Sequence, residues 1–203
     1  MLLLLSGALL IAAVVVAVCL FDEGVVAASN AKTLMEAYDQ AVEEMEPSAL
    51  GADPVDTTAT APASAPSPIT IDGYQVIGKL EISKIEQELP VIAFTDDKAL
   101  KVSVCYYQGP MPDETGNLVI TGHNFASGAH FGRLSELDIG DSVTMSMTDG
   151  NAYHYTVYNK QEIKPDDVQA LDEYEGDHIL TLMTCTSHGN RRLLVRCSLK
   201  GND

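Results

Sequence analysis

The chain opens on an apolar run, residues 1–21, that carries no charged side chain. At about 1.5 Å of rise per helical residue it is long enough to cross a hydrocarbon core of about 30 Å, so it is expected to be a transmembrane anchor. A cleaved signal peptide is the rival, since Val26-Ala27-Ala28 resembles a small-residue cleavage site. The run is longer than a usual signal core, however, and lacks a basic start. Next, Leu34, Met35, Tyr38, Val42 and Met45 recur at spacings of three and four among polar residues, which predicts an amphipathic helix over 27–45, ended by Pro47. Residues 48–68 are dominated by Ala, Pro, Ser, Thr and Asp. Such a composition buries little apolar surface and reads as a semi-extended linker that would hold the next domain away from the bilayer.

Beyond residue 69 the texture changes to short runs rich in Val, Ile, Tyr and Thr, bounded by turn residues. Eight strands are predicted, at 75–82, 89–93, 102–107, 117–121, 142–147, 152–162, 178–185 and 192–199, with single helical turns at 96–101 and 130–137. Asp149-Gly150-Asn151 between two alternating runs is a hairpin signal. Eight strands at this spacing predict a mostly β fold, a closed eight-stranded β-barrel with short helices behind an N-terminal transmembrane helix. The expected domains are an anchor at 1–21, helix and linker at 22–68, and the barrel at 69–203.

A formal net charge of −17 excludes the basic surface that nucleic acid or anionic lipid headgroups require. Of the four cysteines, Cys19 lies in the anchor, where Val16-Ala17-Val18 lacks the small residue that lipidation of the thiol usually needs. Cys105 and Cys197 read as small hydrophobes in strands, with a disulfide between them left open. No Cys or His pair has zinc spacing, and Cys185 with His188 is half a site at best. No metal is therefore expected. Asp96-Asp97 and the acids from Asp166 to Asp177 keep calcium as an alternative, although charged loops are usually just solvated.

Cys185 ends the run Ile179-Leu180-Thr181-Leu182-Met183-Thr184, nearly all apolar or β-branched, and a polar loop follows it. The core therefore delivers a thiol to the surface at that point. His123 sits in Thr121-Gly122-His123-Asn124 after another apolar run, where Gly122 permits close backbone approach and the imidazole could protonate a leaving amine. His188, three residues from the cysteine, competes for that role. Arg192 starts the last strand and could hold an oxyanion with a permanently charged fork, as could Arg191 if a bulge shifted the register by one. Thiol, imidazole and guanidinium at strand ends are the parts of acyl transfer through a thioester.

These segments resemble the sortases, the cysteine transpeptidases of Gram-positive cell surfaces. Thr181-Leu182-Met183-Thr184-Cys185 looks like the family's Thr-Leu-x-Thr-Cys signature, Thr121-Gly122-His123-Asn124 like its histidine segment, and Arg192-Leu193-Leu194-Val195-Arg196 like its arginine strand. The resemblance implies that Cys185 attacks the Thr carbonyl of a Leu-Pro-x-Thr-Gly-type sorting signal on surface proteins, with Arg192 on the oxyanion and His123 protonating the leaving amine. The acyl group would pass to an amine of a peptidoglycan precursor or a pilin. Thr184 would help position substrate by hydrogen bonding, and the loop 160–177 would help recognise the signal. No cofactor is implied, and the expected location is the cell membrane, single-pass, with the catalytic domain outside. Asp53-Pro54 is followed by Val55 and no second span appears before Asp203, so the resemblance leans to a class D-like or class A-like enzyme rather than a pilin polymerase. Two other readings stand beside it. One is an L,D-transpeptidase type of cross-linker, whose small residues precede the thiol rather than follow it as Ser187-His188-Gly189 do here. The other is a membrane-tethered barrel that only binds.

Overall fold

The computed structural model describes residues 2–45, 67–186 and 189–200, with side chains from residue 23 onward. A helix, α1, runs without interruption from Leu2 to Met45. Nine strands follow: β1 (Ile69–Ile71), β2 (Tyr74–Ile82), β3 (Gln87–Ile92), β4 (Val104–Gln108), β5 (Gly116–Thr121), β6 (Ser142–Met147), β7 (Ala152–Ile163), β8 (His178–Cys185) and β9 (Arg192–Leu199). They pair in the order β1-β2-β3-β4-β5-β8-β9-β7-β6, and β2 also pairs with β6, which closes β2 through β9 into an eight-stranded barrel. The eight predicted strands are the eight barrel strands. The ninth, β1, is a three-residue hairpin partner of β2 outside the ring. Single 3-10 turns at Ala99–Lys101 and Leu134–Glu136 stand where helical turns were expected.

Alternation along each strand sends one set of side chains inward and the other outward. Leu80, Ile82, Val91, Leu118, Ile120, Met145, Tyr155, Leu180, Leu182, Val195 and Cys197 share the barrel core. Opposite-parity residues Val119, Met183 and Leu194 face outward, where Ile163 at the end of β7 and Ala170 and Leu171 of the β7–β8 connection cover them. Cys105 belongs to a third cluster, with Leu34, Met35 and Tyr38 of α1, on the outside of the barrel. Cys105 and Cys197 thus lie on opposite sides of the wall, and both are free thiols, which resolves the open disulfide pairing. Burial pushes each of them up to about 12.

The helix departs from expectation. Ala27, Ala31, Leu34, Met35 and Tyr38 are buried against the barrel, and Lys79 of β2 reaches Asp39 at 3.6 Å. The barrel therefore packs directly on α1. Most of the linker expected at 48–68, residues 48–66, lies outside the described residues, as do the side chains of the anchor expected at 1–21 and Cys19 within it. Among the described residues no helix is long and apolar enough to cross a membrane. Small side chains bring α1 close to the barrel. A Cβ at Gly24 would lie 2.9 Å from the Ser127 Cβ, so glycine permits this close approach.

Beneath α1 lies His130, fully buried, its Nε2 3.4 Å from the Ala27 carbonyl. Burial pushes its imidazole down to about 4, partly offset by that carbonyl. The unfolded chain takes up this proton below its ordinary value of 6.5, whereas the folded chain resists until about pH 4. The stabilisation is therefore complete above pH 6.5 and is lost as pH falls towards 4, on the order of 3 kcal/mol in all. Denaturant midpoints should drop between pH 7 and 4.5, and drop less in His130→Asn, a residue that tolerates the left-handed backbone found there (φ +52°).

Candidate active site

β5 and β8 run parallel, with Leu118 opposite Leu180 and Thr121 opposite Met183. Continuing that register past the end of β5 sets the His123 position level with Cys185. Three hydrogen bonds hold the two segments together beyond the end of β5. The Gly122 N–H donates to the Met183 carbonyl at 3.1 Å. The Thr184 hydroxyl donates to the Gly122 carbonyl at 2.7 Å, and the Asn124 amide donates to the Cys185 carbonyl at 2.7 Å. A Cβ on Gly122 would lie 2.8 Å from Val104 and 2.9 Å from Phe131, so glycine is what lets the histidine segment lie this close to the barrel.

On its other side Cys185 pairs with Arg192 across the antiparallel β8–β9 ladder. Cys185 and Arg192 have the parity of Met183 and Leu194, so both face outward from the barrel. Cys185 is the half-exposed thiol, in contrast to the buried Cys105 and Cys197. Arg191 is engaged elsewhere: its Nε lies 3.2 Å from a Glu162 carboxylate oxygen, and it also donates to the Glu162 carbonyl. Arg192 makes no ion pair among the described residues and lines a cavity of about 230 Å³ with Thr95, Tyr107, Val168, Leu171 and Met183.

His123 is half-buried, and its ring centroid lies 5.1 Å from that of Phe125, which meets His130 edge-on at 5.2 Å. Burial holds the His123 imidazole below its ordinary value, and Lys101 adds to this; Asp97 and Glu23 oppose it. Its neutral form, able to accept a proton, therefore persists to lower pH than usual. The competitor His188 lies outside the described residues.

Thr184, expected to hydrogen-bond substrate, is 2% exposed, and its hydroxyl is committed to Gly122. Its parity points it into the barrel, and it braces the His123 segment from below. Three other positions carry weight that the sequence reading missed. Asn124 ties the histidine segment to the Cys185 carbonyl. Buried Asn117 donates to the Leu171 carbonyl, and buried Arg196 donates to the Ala170 carbonyl, so both fasten the β7–β8 connection over the cavity at Arg192. A polar residue inside each apolar strand run was the available signal. Among the described residues, no group of three His, Cys, Asp or Glu side chains could hold a metal ion. Asp96, one of the calcium alternatives, uses its carboxylate to accept from the Lys98 and Ala99 N–H groups.

The sortase domain family matches residues 80–200, more than half of the chain. Sortase A of Bacillus anthracis is 30% identical over 135 residues, which cover 65% of this chain and 63% of that protein. Sortase D of Bacillus subtilis (strain 168) is 32% identical over 112 residues, covering 55% of this chain and 54% of that protein. The chain thus matches less than two thirds of either curated relative. Among solved structures, sortase C1 from Streptococcus agalactiae superposes with a TM-score of 0.58 at 31% identity, covering 66% of this chain and 72% of that one. Sortase A from Corynebacterium diphtheriae gives 0.58 at 28% identity, covering 64% and 63%. The match over residues 80–200 sets aside the cross-linker alternative: the chain belongs to the sortase family.

Proposed function

We propose that this protein is a sortase-type cysteine transpeptidase acting on a Leu-Pro-x-Thr-Gly-type sorting signal. The observation that supports this is the shared outward face of β8 and β9, where Cys185 and Arg192 are register partners, with the segment after β5 that carries His123 tied to the end of β8 by the Thr184 and Asn124 hydrogen bonds. The Cys185 thiolate bonds to the Thr carbonyl carbon, and the oxyanion that forms is held by Arg192, a cation that needs no proton transfer to act. Collapse breaks the peptide C–N bond; His123 gives its proton to the departing amine, leaving a thioester. An incoming amine of a peptidoglycan precursor or pilin then bonds to that carbon, its proton passes to His123, and the C–S bond breaks to restore the thiolate.

Arg192 is preferred over Arg191 because the latter is committed to Glu162. Thr184 and Asn124 serve as positioning residues that hold the histidine segment on β8. The largely apolar cavity beside Arg192, roofed by the β7–β8 connection, suits the Leu and Pro side chains of the signal. Residues 1–21 act as a single-pass membrane anchor, 22–68 as helix and linker, and 69–203 as an extracellular catalytic barrel, with no cofactor in the reaction.

Mixing the full chain with a Leu-Pro-x-Thr-Gly-type peptide and reading the intact mass should reveal an acyl adduct on Cys185 that is absent from Cys185→Ala. An adduct that persists in Cys185→Ala, or none in the unsubstituted protein, would overturn the assignment.

A further inference from the structure

No step of the proposed transfer calls on His130, although it is fully buried and lies close to the histidine that does the work. Its backbone is left-handed (φ +52°), a conformation that a residue with a Cβ keeps only where its surroundings enforce it. The loop that carries both histidines is closed on itself. Asn124 and His130 form an isolated antiparallel bridge, and the Phe131 N–H donates to the His123 carbonyl at 3.0 Å. The Gly128 N–H donates to the Phe125 carbonyl at 2.9 Å. These bonds fix the course of the backbone, but the imidazole of His123 still turns about its own side-chain torsions. What touches that ring is Phe125, whose centroid lies 5.1 Å from the ring of His123 and 5.2 Å from that of His130, tilted by 58° to the first and edge-on at 72° to the second. Phe125 is itself only half-buried and needs a backstop. His130 supplies one, with its own ring held at the Nε2 end by the Ala27 carbonyl of α1.

We propose that His130 is a positioning residue for His123: it holds the Phe125 ring against the imidazole and so fixes the orientation in which His123 exchanges protons with the amine. The inference rests on the transpeptidase reading, in which His123 is the acid and base. His130 transfers no proton itself. Without its ring, Phe125 is free to move, fewer encounters find the imidazole aligned, and water reaches it. Turnover falls, whereas the affinity for the sorting signal, set beside Arg192, is untouched. Water also relieves the burial that holds the His123 imidazole low, so the imidazole titrates nearer its ordinary value. Lys101, Asp97 and Glu23, the charged groups that act on His123, are the same with and without the His130 ring.

The test uses the full chain in detergent micelles. His130→Asn removes the ring but keeps a residue that tolerates the left-handed backbone. Phe125→Leu, at a half-buried position, removes the ring that meets both histidines and tests the same contact should His130→Asn fail to fold. Each should lower kcat for transfer from a Leu-Pro-x-Thr-Gly-type peptide to an amine about tenfold, with KM for the peptide changed by less than about twofold. The double variant should be no slower than the slower single one, because both substitutions break one chain of contacts. NMR titration of the ring Cε1–H signals should place the His123 midpoint higher in both variants than in the unsubstituted protein. Val143→Ala, a cavity in the barrel core on β6, should lower the denaturant midpoint without either effect. An unmoved His123 midpoint in both single variants, additive losses in the double variant, or the same losses in Val143→Ala would overturn the positioning role while leaving the Cys185 acyl adduct in place. Absence of that adduct from the unsubstituted protein would bring down the transpeptidase reading and the positioning role together.

Discussion

Replacing Arg192 by alanine should lower kcat/KM for the sorting-signal peptide by about 10²- to 10³-fold, the usual cost of removing an oxyanion donor. Arg191→Ala should cost less than about threefold. The two arginines are adjacent in sequence and opposite in circumstance. Arg191 spends its Nε and one terminal nitrogen on Glu162, whereas Arg192 faces the cavity from the position opposite Cys185. Arg192→Lys should recover only part of the loss, because an ammonium keeps the charge but not the planar fork. Circular dichroism should be unaltered in all three variants, since neither guanidinium contributes to the barrel core. The reverse ranking of Arg191 and Arg192 would mean that the strand turns its other face to the substrate.

His123→Ala should reduce turnover by about 10²- to 10⁴-fold, the range expected when a general acid and base is removed. Both halves of the reaction should suffer, thioester formation for want of a proton donor and amine transfer for want of an acceptor. The pH dependence of the second half can be isolated with preformed acyl-enzyme. Burial and Lys101 hold the imidazole below its ordinary value, so the neutral base persists as the solution is acidified. Amine transfer, read at saturating neutral amine, should therefore stay on its plateau at pH values where an ordinary histidine would already be half protonated, and decline only below them. A midpoint at or above the ordinary imidazole value would contradict the burial seen in the fold.

The barrel was legible because its strands announce themselves through period-two alternation and turn residues, and each predicted strand corresponds to one in the ring. Cys185 and His123 were legible as polar groups delivered by apolar runs. What pairs with what was not, because non-local register leaves little trace in a single sequence. The parallel pairing of β5 with β8 joins residues about sixty positions apart. Thr184 illustrates the limit: its neighbour in sequence is the proposed nucleophile, yet strand alternation turns its hydroxyl inward to the Gly122 carbonyl. Buried Arg196 shows the converse, a charge in an apolar strand whose hydrogen bonds to Asn159, Gln161 and Ala170 only the folded chain brings together. The helix was read as an amphipathic element, but its docking partner was invisible, since Gly24 and Ala27 contribute by being small and not by being apolar.

The unbroken course of α1 makes it a ruler. Ala27, which touches the ring of His130, follows the end of the apolar run by six residues, about 9 Å of helix at 1.5 Å per residue. Were residues 1–21 the membrane anchor proposed above, the helix itself would hold the barrel close to the bilayer.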